Sequence, residues 1–538
     1  MPVGAPGILY PLWMARRRSA FRRQLRRAAN VSVRPPRWRT RGGSGDNPRI
    51  VTTRRQCCFA LLAALAAPAL TSCGVGASRP SLISERKERE LGQEAASEVA
   101  RTIGLVQDPA LARYVGEIGR RLAAEAASRN VSYEFHVVDD PEPNAFALPG
   151  GFVYVTRGIL ALANSEHELA GVIGHEIGHV VARHAVRRLE ASTPLALLFG
   201  VPSAIAGIVS PALGGVIGGA GKLASGFVLA PYSREQEREA DRIGVDLTAR
   251  AGWDPGGLPS MLRTLEREQT LARGDASRIS FFSTHPATPD RVKDTTAEAQ
   301  ALTRHAARPI AATRAAFLVR LDGLVVGADP ASGLFVGSTF QHPDLGLTLE
   351  MPAGWKTKNT PATAIAMQPS GRAAVALHRV ADGDDPVQGA REDGADDKLV
   401  RQATQRTISG LPALQLIGRD RDQGVHLTWI AYQHHVFRVT GLAGIRDFES
   451  YRETFARTAS SFRPLGRDER ERITEVRLRA LPLRADESLV AFVARTGGVW
   501  KVDQTAVANG VTVDAKLEEG FAVKVPIRQR YAGRRPAT

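Results

Sequence analysis

The sequence predicts a multidomain α+β protein with a mainly helical domain that includes a short sheet, a small α+β domain, and a C-terminal βααβ module. Three observations indicate this class. Apolar residues follow a helical period around His175, and they alternate as in strands from Leu427 to Gly441. Residues 475–528 read as a strand, two short helices and a strand. A chain of 538 residues is long enough for several domains, each with its own core.

The first 72 residues carry most of the net charge. They contain 14 Arg and one acidic residue, whereas 57 basic and 54 acidic residues follow, so the formal net charge of +16 is local to this stretch. The distribution argues against a nucleic-acid partner. Residues 1–50 are a basic presequence that is set aside from the fold. Two interpretations stay open: an over-extended start, with Val51 as a GTG initiation codon, or a genuine basic leader.

Residues 51–72 have the form of a lipoprotein signal peptide. Thr53-Arg54-Arg55 precedes an apolar run, and Leu70-Thr71-Ser72-Cys73 has the form of a bacterial lipobox, so Cys73 would be lipidated and become the mature N-terminus. The run is too short for an ordinary membrane helix, and Gly74 is not an acidic retention residue. This pattern favours a lipid anchor in the outer rather than the inner membrane. A plain secretory signal or anchor is the alternative.

His175-Glu176-Ile177-Gly178-His179 is an H-E-x-x-H motif in a segment of helical periodicity. Two imidazoles four residues apart lie on one helix face, so both can bind one zinc ion while Glu176 acts as general base on a water molecule. Residues 165–168 are a candidate capping box, and apolar positions continue to Arg187 and Arg188, which places the motif mid-helix. The motif predicts a zinc hydrolase with one Zn²⁺ per chain.

A catalytic zinc site needs a third protein ligand. The Gly and His that a metzincin would carry after the motif are absent, which argues against that class. A second charged segment, from Tyr232 to Asp241, offers a carboxylate instead. Glu237 and Asp241 are four residues apart and share a helix face, so Glu237 can bind zinc while Asp241 accepts the outer N–H of a ligand histidine. Glu239 lies on another face and is expected to contribute little, and a solvated charged helix is the other interpretation.

Together the two segments resemble one enzyme family. H-E-x-x-H followed by S-R-x-x-E-x-E-A-D-R-I-G at residues 233–244 is similar to the gluzincin metallopeptidases that include the CAAX prenyl proteases, HtpX and BepA, in their soluble periplasmic lipoprotein branch. The resemblance implies a zinc endopeptidase that cleaves misfolded or unassembled envelope proteins. Carried over by position, it implies His175, His179 and Glu237 as zinc ligands, Glu176 as general base and Asp241 as the partner of a ligand histidine.

A further segment resembles the strand and turn beside the cleft of this family. It runs from Asn144 through Pro149-Gly150-Gly151 to Gly158, and it implies that Asn144, Ala145 and Phe146 line the substrate groove. The residues alone indicate a turn leading into a strand, whose edge could accept an extended peptide by main-chain pairing. An ordinary hairpin is the alternative.

Ser283-Thr284-His285-Pro286 is similar to the S-T-H-P segment of the family, whose histidine can approach the metal. His285 is therefore a candidate gate that closes the site, and a plain loop histidine is the other interpretation. Between the two zinc helices, residues 191–221 are uncharged, Gly-rich and interrupted by two prolines. They indicate a mobile cap or surface-dipping hairpin, because Pro and Gly break helices, with a pair of membrane helices as the alternative.

Three domains follow from this organisation: residues 73–310 as the metallopeptidase, residues 330–466 as an accessory α+β domain, and residues 475–528 as a module resembling LysM. The accessory domain shows no metal cluster in its sequence and is expected to bind or dock. Ala485-Asp486-Glu487 replaces the usual Gly-Asp-Thr of LysM, which leaves peptidoglycan binding open.

The sequence thus predicts a periplasmic, lipid-anchored zinc endopeptidase with polypeptide substrates. A normally closed chaperone-like or peptidoglycan-tethering protein is the alternative from another class of function.

Overall fold

The computed structural model describes residues 82–126, 131–192, 231–272, 281–286, 290–302, 308–395, 397–419 and 422–533. These residues all lie within one compact unit, Ser78–Thr538. The presequence, the signal peptide and Cys73 lie outside the described residues, as does most of the 191–221 segment. Within these ranges, every helix is too short or too polar to cross a bilayer.

The first part of this unit is mainly helical. Its helices are α1 (Glu85–Thr102), α2 (Pro109–Glu125), α3 (Arg157–Leu162), α4 (Glu166–Val181), α5 (His184–Ser192), α6 (Arg234–Arg250), α7 (Gly257–Leu271), α8 (Phe281–Thr284), α9 (Arg291–Ala301) and α10 (Arg314–Leu321). Local sequence fixes where two of them begin. Ser165 caps α4 by accepting a hydrogen bond from the Glu168 N–H, and Ser233 and Gln236 form a capping box at α6.

Glycines allow α4 and α6 to approach each other closely. A Cβ at Gly178 would stand 2.7 Å from the Ala240 carbonyl oxygen, and a Cβ at Gly244 would stand 2.6 Å from the His175 nitrogen. Any larger residue at either position would push the helices apart. The two segments that carry the predicted ligands are therefore held backbone to backbone.

The zinc-motif helix ends earlier than its apolar pattern predicts. That pattern continues to Arg187 and Arg188, but α4 ends at Val181 and α5 begins at His184. Arg183 between them has a φ of 56°, in the left-handed region that non-glycine residues rarely adopt. The chain turns at this residue, which brings His184 at the start of α5 to within 2.8 Å of His179 in α4.

A three-stranded sheet lies beside the helices, with strands β1 (Glu134–Val138), β2 (Ala145–Leu148) and β3 (Phe152–Thr156) in the order β1-β3-β2. β1 runs parallel and β2 antiparallel to β3, and Gly150 and Gly151 form the turn with φ of 77° and 95°. All of β3 is buried, because its two faces belong to separate hydrophobic clusters. β2 is an edge strand.

The middle part is built from antiparallel sheets. Its strands are β4 (Leu334–Val336), β5 (Thr339–His342), β6 (Leu347–Glu350), β7 (Lys356–Thr360), β8 (Thr363–Met367), β9 (Ala373–Asp382), β10 (Thr404–Ile408), β11 (Leu411–Arg419), β12 (Gln423–Tyr432), β13 (His435–Gly444) and β14 (Arg463–Pro464). A seven-stranded sheet has the order β10-β11-β12-β13-β9-β8-β7, and a four-stranded sheet has the order β14-β6-β5-β4. The predicted mixture of helices and sheets in an α+β chain is confirmed.

Helices α11 (Pro386–Glu392), α12 (Asp397–Gln402) and α13 (Phe448–Ser460) accompany these sheets. α13 packs Phe448 and Phe455 against the long sheet at Gly424 and Gly441, where a Cβ would stand 2.2 Å from a phenyl carbon. This packing requires glycine at both strand positions.

The C-terminal part, after α14 (Arg467–Arg472), consists of β15 (Thr474–Pro482), α15 (Leu489–Thr496), α16 (Val502–Ala508) and β16 (Ala522–Arg530). β15 and β16 pair antiparallel, which gives the predicted βααβ order. Lys524 is fully buried and its Nζ donates to the carbonyls of Ala161 and Ala163 at 2.8 and 2.7 Å. The module is thus fixed to the segment that leads into α4, and its identity as LysM stays a prediction.

Candidate metal centre

Four side chains converge in the interior between α4, α6 and the end of α8. His175 and His179 come from α4, Glu237 from the first turn of α6, and His285 follows α8 directly. One donor atom from each lies within 4.8 Å of the others, and all four residues are buried. The two histidines and the glutamate predicted as ligands from the sequence therefore lie together, and His285 lies with them.

The distances between the donor atoms are short and similar. His175 Nε2 lies 3.0 Å from His179 Nε2 and 3.2 Å from His285 Nδ1. Glu237 Oε1 lies 3.1 Å from His285 Nδ1 and 3.4 Å from His179 Nε2. Tetrahedral zinc with ligands at about 2.0–2.1 Å needs donor atoms about 3.3 Å apart. Three imidazole nitrogens and one carboxylate oxygen at these separations fit Zn²⁺ in both chemistry and spacing.

Asp241 and Arg291 hold His175 and Glu237 in place. Asp241 Oδ1 lies 2.8 Å from His175 Nδ1, and the Arg291 guanidinium donates to both Asp241 oxygens at 2.7 and 2.8 Å. Arg291 Nη1 also lies 2.7 Å from Glu237 Oε2. Burial alone would raise the pKa of Asp241, but the charges of Arg291 and His175 outweigh it and lower that pKa. Sequence reasoning missed Arg291, although this residue stands shortly after the S-T-H-P segment.

A second set of contacts surrounds His179. His184, at the start of α5, is fully buried with its Nδ1 2.8 Å from His179 Nδ1, and its Nε2 lies 3.1 Å from Glu239 Oε2. The Tyr232 ring stacks on His179 at 3.7 Å between centroids. Burial lowers the pKa of His184 to about 4, so its ring is neutral at pH 7. Sequence reasoning missed His184 and expected little from Glu239, which reaches this site through His184 rather than from the ligand face of α6.

Glu176 lies beside the cluster as a fully buried carboxylate. Among the residues that the structure describes, none forms a hydrogen bond to either of its oxygens, and His285 Nε2 is 3.5 Å from Oε1. Burial raises the pKa of Glu176. A buried carboxylate without a donor is costly, so its retention here fits a group that exchanges protons with a reacting molecule.

His285 links the cluster to the edge strand β2. Its Nε2 lies 3.3 Å from the Ala145 carbonyl oxygen, and its ring stacks on Phe281 with centroids 4.4 Å apart. Thr284 donates to the Asn144 side-chain oxygen at 3.3 Å. Two of the predicted groove residues, Asn144 and Ala145, are therefore next to the cluster.

The third predicted groove residue is placed differently. The Phe146 side chain packs on Tyr154 at 4.8 Å between centroids, in the hydrophobic cluster on the other face of the sheet. This side chain faces away from the cluster, because successive residues of a strand point to opposite faces, and a place for Phe146 in the groove stays a prediction. Only the backbone of Phe146 follows the edge of β2.

Comparison with known proteins relates this region to one family. Residues 109–299 match the model of Peptidase family M48. The Beta-barrel assembly-enhancing protease of Yersinia pestis is 31% identical over 234 residues, which are 43% of this chain and 48% of that protein. The Mitochondrial metalloendopeptidase OMA1 of Schizosaccharomyces pombe is 33% identical over 213 residues, which are 38% of this chain and 59% of that protein. The chain thus spans about half the length of the curated relatives it matches.

Proposed function

We propose that the chain is a zinc-dependent endopeptidase in which His175, His179 and Glu237 hold the metal, because residues 109–299 match the model of Peptidase family M48. The observation that carries this proposal is the buried cluster of three imidazoles and a carboxylate beside Glu176, whose oxygens have no hydrogen-bond donor among the described residues. Structural ion pairs satisfy such carboxylates, whereas a catalytic base needs an accessible lone pair.

The residues of the site have separate roles in the proposed peptide hydrolysis. Zinc in this site would supply Lewis acidity that activates water and polarises the scissile carbonyl. Glu176 takes the proton of the attacking water and delivers it to the leaving amine, and its raised pKa suits both steps. Asp241 fixes the orientation of His175 through the Nδ1 contact. The backbone of β2, an edge strand, offers N–H and C=O groups for pairing with an extended substrate.

We infer that His285 closes this site in the absence of substrate. Hydrogen-bond donation from His285 Nε2–H to the Ala145 carbonyl leaves the Nδ1 lone pair directed at the cluster. The same ring therefore takes a fourth donor position and covers the first carbonyl of the edge strand. Substrate has to displace the segment from Phe281 to His285 before the proposed enzyme can act.

The proposed substrates are misfolded or unassembled proteins of a bacterial cell envelope. The lipobox at Cys73 supports a periplasmic protein anchored by lipid, in the outer rather than the inner membrane. The name of the Yersinia pestis relative, Beta-barrel assembly-enhancing protease, supports the envelope assignment. The βααβ module supports peptidoglycan as a further partner.

Casein cleavage tests the proposed activity. Wild type and Glu176→Gln are compared at equal zinc content, because Gln keeps the shape of the side chain but cannot take a proton. We expect wild type to cleave and the variant to be inactive. Equal cleavage by both would overturn the role of Glu176.

A normally closed chaperone-like or tethering protein is the second candidate, since His285 lies within the cluster. Such a protein would prevent aggregation of an unfolded envelope protein, or retain the chain on purified peptidoglycan, equally well with Glu176→Gln. If the chain is instead the proposed protease, Glu176→Gln should no longer lower the level of the substrate protein.

A further inference from the structure

We propose that His184 and Glu239 are positioning residues for the metal ligand His179, joined to it by a chain of two hydrogen bonds. The inference rests on the proposed zinc site and adds two residues to it. Its basis is the approach of His184 Nδ1 to His179 Nδ1 at 2.8 Å and of His184 Nε2 to Glu239 Oε2 at 3.1 Å.

The protons of this chain can be placed from the chemistry of imidazole. His179 directs Nε2 into the cluster, 3.0 Å from His175 Nε2, so a metal bound there takes the Nε2 lone pair and leaves the proton on Nδ1. Two imidazole nitrogens at 2.8 Å require one donor and one acceptor. His179 Nδ1–H therefore donates to His184 Nδ1, and His184 carries its own proton on Nε2.

Glu239 completes the chain as the final acceptor. Its carboxylate accepts from His184 Nε2–H and so holds His184 in the tautomer that can accept from His179. The Glu239 side chain is 37% exposed while His184 is fully buried, so the imidazole connects a carboxylate at the surface to a ligand in the interior. Arg187 Nη1 lies 3.5 Å from the same carboxylate oxygen and helps to orient Glu239.

The backbone before His184 is held in an unfavourable conformation that this contact requires. Arg183 adopts a φ of 56°, which costs a non-glycine residue roughly 1–2 kcal/mol. Its guanidinium donates to the Glu88 carboxylate at 2.9 Å and to the Ile83 carbonyl at 2.6 Å. The αL residue turns α5 back so that His184 meets His179 five residues earlier, and contacts from α1 stabilise it. Strain that is maintained beside a site in this way commonly accompanies function.

Each of the two ligand histidines is thus oriented by a carboxylate. His175 contacts the carboxylate of Asp241 directly, whereas His179 reaches the carboxylate of Glu239 through His184. Residues that orient a metal ligand in this manner typically contribute a factor of about 10–100 to metal affinity.

The test measures the zinc dissociation constant of the full chain by competition with a chelator, together with the visible spectrum of the Co²⁺-substituted protein. Glu239→Ala removes the final acceptor, and we expect zinc to bind about tenfold more weakly. Glu239→Gln keeps a carbonyl oxygen and should stay within about threefold of wild type. Glu235→Ala, on an exposed position of the same helix, is the matched control and should not differ from wild type.

Substitution at position 184 separates the two hydrogen bonds. In His184→Asn the amide oxygen stands near the former Nδ1 and can still accept from His179, but the contact to Glu239 is lost, so we expect about tenfold weaker zinc binding. His184→Phe removes both contacts and should weaken binding by about 100-fold with a shifted Co²⁺ spectrum. Melting temperatures of the metal-free variants check folding, and if the Phe variant does not fold, the Asn variant and the Glu239 pair decide.

Three results would overturn the inference. Glu239→Ala and His184→Asn could both bind zinc within twofold of wild type with an unchanged Co²⁺ spectrum. Glu239→Gln could be as weak as Glu239→Ala, or Glu235→Ala could be as weak as either. A wild-type protein that binds no zinc would instead overturn the proposed function.

Discussion

Removing the His285 ring is expected to open the site. His285→Ala deletes the group that faces Glu237 and His175 and that covers the Ala145 carbonyl. His175, His179 and Glu237 remain, so zinc content should stay at one per chain. Basal cleavage of casein should rise, because the open form no longer competes with a closed one.

The size of the effect follows from the contacts that are lost. The closed form has a hydrogen bond of 3.3 Å from His285 Nε2–H to the Ala145 carbonyl, worth about 0.5–1.5 kcal/mol net. The stacking of His285 on Phe281 adds about 0.5–1.5 kcal/mol. The lower end of this sum is about 1 kcal/mol, and each 1.4 kcal/mol corresponds to a factor of ten in an equilibrium. We therefore expect basal turnover to rise by about fivefold or more.

The assay is steady-state cleavage of fluorescent casein with zinc measured on the same samples. His434→Ala serves as the control, because that histidine is 87% exposed in a turn of the middle part. A fall in casein turnover in His285→Ala would refute the role of His285 as a gate. A His285 that stabilises the oxyanion would give a loss of about 10²-fold on substitution, and unchanged turnover would leave it no active role.

Three other changes test separate parts of the account. Glu237→Ala should abolish both zinc binding and cleavage, because it removes a ligand, and loss of zinc with the exposed Glu235→Ala would contradict that assignment. Cys73→Ser should leave the protein unprocessed or move it out of washed membranes, and persistence in the membrane fraction would argue against lipid anchoring. Lys524→Ala should lower the free energy of unfolding by about 2–4 kcal/mol in denaturant titration, because two buried carbonyls lose their donor, whereas the exposed Lys501→Ala should change it little.

Local spacing made part of the site predictable. His175 and His179, like Glu237 and Asp241, are four residues apart, so each pair shares a helix face wherever its helix lies. The turn at residues 149–151 likewise predicted the strand β3, since its glycines permit positive φ. These features depend on neighbours in sequence.

The remainder depends on tertiary contacts. The break after α4 is held by Glu88, which lies 95 residues before Arg183, so no helical pattern could show that His184 turns back toward His179. A lysine in a strand normally lies at the surface, yet Lys524 donates hydrogen bonds to carbonyls 361 and 363 residues earlier in the chain. Intrinsic preference indicates exposure for such a residue, and packing of the C-terminal module against α3 and α7 overrides it.

The zinc content of the purified full-length chain tests the central claim most directly. Wild type should contain one zinc per chain by elemental analysis. His175→Ala should contain almost none after the same purification, because it lacks one of the three protein ligands that the site needs. Wild type without zinc, or a His175→Ala variant that retains it fully, would contradict the assignment of this cluster as the metal centre.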